Sequence, residues 1–266
     1  RYSKMLKKGE GIERNKKEAV KYYKMATDQK GTKSMVNLAH MLNIGDGINI
    51  NKKEAAFYYK KASEKGNDKA TMNYAKMLDE GDGIFMNKKE ASSYYKIIAD
   101  KGNVKAMIKY AEIYDEGKDV QVDKKKAARY FKMAADQGDL KSMHKYALML
   151  DNGDGIPTNK IKASRYYKMA ADKGEVNSMF SYAFMLDNGD EISENKKEAA
   201  RYYKIAANKG DEYSMFNYAT LLFNGNGIPE DKREANRYYK MGADKGHVPS
   251  MYNYANNLRK GEGIQI

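Results

Sequence analysis

The alternation of apolar and polar residues follows the period of an α-helix over most of the chain. Within residues 140–152, the apolar positions on one side are Met143, Tyr146, Ala147 and Leu150. This spacing of i, i+3, i+4 and i+7 is typical of an amphipathic helix, which we call helix A. A second amphipathic stretch, helix B, begins at Asn159 and stops at Gly174. Because only a short turn separates the two stretches, the pattern predicts an antiparallel helix pair.

The helix pair recurs along the chain at intervals of 36 residues, and a glycine turn marks each copy. The turns Gly-Asp-Gly-Ile, Gly-Glu-Gly-Ile and Gly-Asn-Gly-Ile begin at Gly9, Gly45, Gly81, Gly153, Gly225 and Gly261. Two degenerate copies begin at Gly117 and Gly189. The first glycine of each turn suits the left-handed conformation that commonly follows the end of a helix. A repeat of this length indicates stacked helix pairs in a solenoid and argues against an enzyme.

Capping residues and small residues repeat with the same period. Each helix B starts at a residue that can cap its first turn, namely Asn15, Asn51, Asn87, Asp123, Asn159, Asn195 or Asp231. In several copies a glutamate follows three residues later, as Glu54 follows Asn51, which is the spacing of a capping box. Alanine recurs every 36 residues at one position of helix A, from Ala39 to Ala255, and at one position of helix B, from Ala19 to Ala235, so that neighbouring helices can approach closely. Lys30 stands where the other copies have the glycine that ends helix B.

These residues resemble the Sel-1-like repeat family, a relative of the tetratricopeptide repeat. The string that carries the resemblance runs from Ser178 to Leu186, continues at Gly189 and ends with residues 195–210. Tyr-Ala replaces the family's Leu-Gly, Leu replaces the Tyr of helix A, and Tyr-Tyr replaces Trp-Tyr. The resemblance covers the whole chain and implies an all-α, right-handed superhelical solenoid of antiparallel helix pairs. It also implies a scaffold or adaptor for protein–protein interaction, as in the adaptor of an ER-associated ubiquitin ligase and in bacterial host-interaction proteins.

A solenoid has no internal domain boundary, so we expect residues 1–266 to form a single body. The chain begins and ends within a repeat, and we expect it to be a fragment of a longer protein, truncated at both ends. No run of about 18 apolar residues is present, so no membrane span is predicted. The absence of cysteine excludes disulfides and favours a reducing compartment such as the cytoplasm, although the localisation stays open.

The residues that could carry chemistry do not form a catalytic, metal or cofactor site in the sequence. The string Asp151–Ile156 looks like part of a calcium loop, but glycine occupies two of its ligand positions. The three histidines lie in different repeats, without metal or triad spacing: His40, His144 and His247. We therefore expect no cofactor and no small-molecule substrate. The methionines that recur with the core period of helix A, and so predict a core column, are Met35, Met107, Met143, Met179, Met215 and Met251.

Four positions of helix A vary between repeats and form a stripe about 120° from the core stripe. By resemblance to tetratricopeptide repeats, this stripe lines a concave groove. Towards the C-terminal side the stripe is aromatic, and the partner-binding residues expected there are Phe180, Phe184, Tyr213, Phe216, Thr220, Phe223, Tyr252 and Asn256. On its polar side they are Lys33, Lys69, Lys105 and Lys141. Clustered aromatics favour a peptide or helix as the partner. The alternative is that the rings are buried between neighbouring helices.

The charges of the stripe bear on the class of partner. Its lysines suit a protein segment with acidic residues beside an apolar anchor. Its opposite border carries Asp79, Asp115, Asp151 and Asp187. A stripe with both signs of charge argues against nucleic acid, whose backbone favours a continuous positive track. The net charge of +13 and a further lysine ladder from Lys24 to Lys240 are interpreted as solvated surface.

Two other functions stay open at this point. One is a structural component that docks on an acidic filament or another assembly. The other is an accessory repeat region of an enzyme whose catalytic domain lies outside these 266 residues.

Overall fold

The computed structural model describes residues 2–8, 15–189 and 191–263, with the backbone alone for Tyr2 and Ser3. These residues form fifteen α-helices, and no strand occurs among them. The predicted all-α fold is therefore confirmed. The chain divides into two compact units, residues 1–130 and 131–266. The expectation that residues 1–266 form a single body stays a prediction.

The first unit is a stack of helix pairs, and its first seven helices each contact the next of the seven along the chain. Its helices are α1 (Tyr2–Lys8), α2 (Lys16–Asp28), α3 (Thr32–Ile44), α4 (Lys52–Glu64), α5 (Asp68–Glu80), α6 (Lys88–Ala99), α7 (Val104–Glu116) and the first half of α8 (Lys124–Asp136). Odd-numbered helices are of type A and even-numbered helices are of type B, as the sequence predicts.

The second unit continues the same alternation. After the end of α8 come α9 (Leu140–Asn152), α10 (Lys160–Asp172), α11 (Val176–Asn188), α12 (Lys196–Asn208), α13 (Glu212–Asn224), α14 (Lys232–Asp244) and α15 (Val248–Lys260). From α9 onwards, consecutive helices contact one another. Alanine is the small residue at these contacts. Met143 of α9, for example, packs against Ala135 and Ala170 of the two adjacent helices B.

The core column of helix A ends before α15. Met215 of α13 is buried, with Gly242 of α14 beside it. The prediction that Met251 belongs to the same column is wrong, because its side chain is 44% exposed. Ala255, one turn further along α15, is exposed as well. α15 is the last described helix, so no later helix of the described chain covers this face.

The second glycine of the turn is required because the backbone passes close to the preceding helix B. Gly83 has a φ of +78°, and a Cβ atom there would lie 2.1 Å from Cβ of Lys52. Gly47 and Gly227 approach the lysine that begins the preceding helix B in the same way. The ammonium group of Lys52 also pairs with Asp82, the residue between the two glycines. The turn therefore joins successive repeats.

The cap of helix B differs from the predicted capping box in one bond. The side chain of Asn51 accepts a hydrogen bond from the backbone N–H of Glu54 at 3.0 Å, as expected. The backbone N–H of Asn51, however, donates to the carbonyl of Leu42 in the preceding helix A at 2.9 Å. Glu54 accepts instead from the side-chain amide of Asn51 at 3.1 Å. The cap thus fixes the start of helix B to the end of helix A.

Among the described residues, three other than glycine adopt positive φ angles. Lys30 has a φ of 61° at the position where other repeats have glycine, as the alignment of the repeats predicts. Asp119 and Glu191 replace the second turn glycine in the two degenerate turns, with φ values of 60° and 56°. Side chains in this region are strained.

Candidate partner-binding surface

Six aromatic side chains of the second unit form what we call the aromatic surface. They are Phe180, Phe184, Tyr213, Phe216, Phe223 and Tyr252, on α11, α13 and α15. None of the six is buried in the core. Tyr213 is 55% exposed, Phe184 and Tyr252 are also exposed, and the other three are partly buried. The variable stripe of helix A thus lies outside the alanine and methionine core in this unit.

Ring contacts connect α11 with α13. Phe184 stacks on Phe180 with their ring centroids 6.0 Å apart. Phe180 then lies 5.9 Å from Tyr213 of the next helix A. Rings in contact at these distances attract one another and hold a defined arrangement. The exposed edges of Phe184 and Tyr213 therefore belong to one continuous patch.

Two residues outside the variable positions of helix A contact the rings of this surface, His247 at its edge and the buried Tyr239 beneath it. His247 caps α15 and lies 5.2 Å from Tyr213 and 5.3 Å from Phe216, centroid to centroid. Tyr239 of α14 lies 5.9 Å from Phe216 and 6.4 Å from Phe223. A comparison of helix-A positions could not find either of them. A signal for them would have been that the start of the next helix A and the adjacent helix B lie close to the variable stripe.

Polar groups at the surface are engaged in its own structure. The hydroxyl of Thr220 donates to the carbonyl of Phe216 at 2.9 Å and lies 3.0 Å from the hydroxyl of Tyr239. Burial raises the pKa of Tyr239 above its ordinary value, so its hydroxyl stays neutral at physiological pH. Asn256 of α15 is partly buried. Thr220 therefore supports the rings, which present mainly apolar edges.

The four lysines expected at the polar side of the stripe are all exposed. Lys33, Lys69 and Lys105 lie in the first turns of α3, α5 and α7 in the first unit. Lys141 occupies the same position of α9 in the second unit. No ion pair is formed by any of the four within the described part of the chain. Their charges are available to a partner.

The aspartates of the stripe, by contrast, form ion pairs with lysines of the same helix pair. Asp79 lies 2.8 Å from Nζ of Lys88, and Asp187 lies 3.1 Å from Nζ of Lys196. In both pairs the lysine is the first residue of the following helix B. The acidic border that the sequence suggests is therefore made of ion pairs within each helix pair.

His144 is the histidine whose neighbours most resemble a catalytic group. Its Nδ1 atom lies 3.2 Å from Oγ of Ser178 and 3.8 Å from a carboxylate oxygen of Glu175. A serine–histidine–acid triad places the acid and the serine on opposite ring nitrogens, whereas both groups here face the same nitrogen. Burial lowers the pKa of His144 below its ordinary value, with the Glu175 charge acting against it. The arrangement fits a packed interior histidine.

Within the described residues, no group of three or more His, Cys, Asp or Glu side chains could hold a metal ion. The described helices are also too short or too polar for any of them to cross a membrane.

Stacked pairs of helices A and B, joined by glycine turns and locked by the same contacts in successive repeats, define an α-solenoid repeat protein. The pattern of the Sel1 repeat matches residues 1–30, 32–67, 68–103, 104–139, 140–175, 176–211 and 212–247. The chain belongs to the Sel1 repeat family, whose members are generally protein-interaction scaffolds and typically non-catalytic.

Solved structures are similar to this chain over most of its length. A protective antigen of uropathogenic Escherichia coli strains, which displays an SLR fold, is 24% identical with a TM-score of 0.83. The match covers 99% of this chain and 56% of that antigen, so the chain spans little more than half the antigen's length. A Sel1 repeat protein from Oxalobacter formigenes is 25% identical with a TM-score of 0.63, over 91% of this chain and 95% of that one. No curated protein sequence matches.

Proposed function

We propose that this chain is a non-catalytic scaffold or adaptor that binds a peptide or helical segment of a partner protein on its aromatic surface. The observation that carries the proposal is the exposure of Phe184, Tyr213 and Tyr252 on three successive helices A. The fold itself does not require aromatic rings at these positions. In the first unit, the position of Phe184 is held by Lys76 on α5 and by Glu112 on α7.

The chemistry of the surface favours an apolar anchor in the partner. Rings at the centre of an interface commonly contribute about 2 kcal/mol or more each when a partner covers them. Because Tyr213 already contacts both Phe180 and His247, little side-chain freedom is lost on binding. A preorganised surface of this kind loses less entropy when a partner docks.

The exposed lysines favour a partner segment that also carries acidic residues. Lys141 in the second unit, and Lys33, Lys69 and Lys105 in the first, are free of ion pairs within the described residues. Acidic side chains in a partner would gain favourable charge interactions with them, chiefly as faster association and greater specificity. A partner segment that combines apolar anchors with acidic residues therefore fits the aromatic surface and Lys141 of the second unit.

A random-peptide display selection tests this proposal. We expect the immobilised 266-residue chain to recover peptides that share an aromatic or large aliphatic residue. Those peptides should bind at least tenfold more weakly to a Phe184→Ala/Tyr213→Ala double variant. A matched control, Phe57→Ala, removes a similarly exposed ring from α4 of the first unit and should leave binding unchanged. Recovery of peptides that bind both variants as tightly as the parent chain would refute the proposed surface.

A further inference from the structure

The loops between helix A and helix B in the first unit expose apolar side chains in consecutive repeats. Phe85 is 97% exposed, and Met86 beside it is also exposed. Ile50 and Val122 occupy the position of Met86 in the preceding and the following repeat, and both are exposed. A side chain as exposed as Phe85 packs on almost nothing of its own chain, so it contributes little to folding.

This feature is specific to the first unit. In the second unit the position of Ile50, Met86 and Val122 is taken by Thr158, Glu194 and Glu230. Loops with the same turn and the same cap therefore do not need an apolar residue here. The structure of the repeat therefore does not explain why the first unit has apolar residues at this position.

Cationic side chains lie on the same edge of the first unit. Each helix B begins there, and its second residue is an exposed lysine: Lys17, Lys53, Lys89 and Lys125. None of these four forms an ion pair within the described residues. The lysine just before each of them behaves differently, because Lys52 pairs with Asp82 and Lys88 pairs with Asp79. Asp79 and Asp82 of this edge are thus paired with lysines other than these four.

We propose that this loop edge, carrying Ile50, Phe85, Met86 and Val122 beside Lys17, Lys53, Lys89 and Lys125, docks the first unit on the surface of an anionic lipid bilayer. Loops at one edge of a stack of helix pairs lie side by side, so they can meet an extended surface together. Apolar side chains enter the boundary between headgroups and acyl chains, and lysines attract anionic headgroups. This surface is distinct from the aromatic surface of the second unit.

The pairing of both kinds of side chain selects this occupant over a soluble polyanion. A polyanion would interact with the lysines alone and would leave Phe85 and Met86 in water. A bilayer gains from both, since each cation near an anionic membrane strengthens binding about fivefold. The association is peripheral, with only loop side chains entering the interface.

Tryptophan fluorescence offers a direct test because the chain contains no tryptophan. In a Phe85→Trp variant, we expect the emission to shift to the blue when vesicles of phosphatidylcholine and phosphatidylglycerol are added. Vesicles of phosphatidylcholine alone should give a much smaller shift. The control is Phe57→Trp, at a half-exposed position on α4 away from the loops, whose emission should not shift. An unchanged Phe85→Trp spectrum, or an equal shift in the control, would overturn the proposal.

Vesicle co-sedimentation separates specific docking from a general effect of positive charge. The triple variant Lys53→Gln/Lys89→Gln/Lys125→Gln should bind the phosphatidylglycerol vesicles at least tenfold more weakly than the parent chain. The control variant Lys30→Gln/Lys65→Gln/Lys101→Gln removes three exposed lysines beyond the opposite ends of helices B in the first unit and should bind within about twofold of the parent. Equal losses in the two triple variants would show attraction by net charge only and would overturn the assignment of the edge.

Discussion

At the scale of single residues, the repeated glycines have two different physical causes. The first glycine of the turn ends helix A in the left-handed conformation, as Gly81 does with a φ of +68°, and the sequence predicts this role directly. The second glycine is set by a contact with a lysine that lies about one repeat earlier in the chain, as for Gly83 and Lys52. That contact depends on how the repeats stack, so no local sequence pattern could predict it.

A pair of glycine substitutions distinguishes these causes. Gly83 and Gly66 have nearly equal φ angles of +78° and +77°, but a Cβ atom would meet α4 only at Gly83, since nothing lies within 4 Å of that position at Gly66. Gly66→Ala should cost about 1 kcal/mol of unfolding free energy, from backbone strain alone. Gly83→Ala should cost about 1–3 kcal/mol more, because the turn must move away from α4. Urea unfolding of both variants measures the difference, and equal losses would contradict the close approach.

At the scale of helices, a tyrosine of helix B donates a hydrogen bond to the preceding helix B in several repeats. The hydroxyl of Tyr202 donates to Asp172, and Tyr166 donates to Asp136 in the same way at 2.9 Å. Lys168, which the sequence assigns to the solvated ladder, lies 2.7 Å from Asp172 and only 3.4 Å from the Tyr202 hydroxyl. The recurrence of lysine every 36 residues predicts the ladder. It cannot predict that the ladder bridges two helices, because the partners are 30 and 34 residues apart in the sequence.

The charge of Asp172 makes this link depend on pH. Burial raises the pKa of Asp172, but the hydrogen bonds from Lys168 and Tyr202, together with the positive charges of Lys168 and Arg201, lower it by more, so the pKa lies below the ordinary value. A carboxyl group with a lowered pKa stabilises the fold above its unfolded pKa and loses that contribution as the pH falls through its folded pKa. We therefore expect the link to weaken in acid, below about pH 4.

Tyr202→Phe tests the link, with Tyr94→Phe as the control. Both rings make edge contacts with a tyrosine of the preceding helix A, at 5.1 and 5.0 Å between centroids. Tyr94 has no hydrogen bond within the described residues. At neutral pH, Tyr202→Phe should cost about 1 kcal/mol more than the control, and the difference should shrink at about pH 3. Thermal unfolding at the two pH values measures it. A difference that is absent at neutral pH, or undiminished in acid, would count against the link.

At the scale of the whole molecule, the sequence predicts the architecture well because every repeat obeys the same constraints. Glycine, alanine and capping positions recur every 36 residues. The helices begin and end where these positions predict. The candidate binding surface is less predictable, since exposure depends on which helix lies next to a given position. Met251 shows this directly: its pattern is that of a core residue, yet α15 leaves it exposed. His247 and the buried Tyr239 contact the rings of the aromatic surface from other elements for the same reason.

Phe216 is one of the partner-binding residues that the sequence predicts, but its contacts make it a poor choice for testing the surface. Phe216 is partly buried between Tyr239 and His247, so its truncation would disturb both folding and any binding. Tyr213, one turn earlier on α13, is more exposed. Truncation of Tyr213 therefore distinguishes a loss of binding from a loss of folding better than truncation of Phe216 does.

The central claim is that the aromatic surface serves binding and the methionine column serves folding. Tyr213→Ala and Met215→Ala, two residues apart on α13, test it most directly, with unfolding free energy and affinity for a peptide from the display selection measured on each. We predict that Tyr213→Ala changes the unfolding free energy by less than about 1 kcal/mol while weakening peptide binding at least tenfold. Met215→Ala should cost about 2–5 kcal/mol of unfolding free energy, with peptide affinity retained by the molecules that remain folded. If Tyr213→Ala unfolds the chain as readily as Met215→Ala, or binds the peptide as tightly as the parent chain, the account is contradicted.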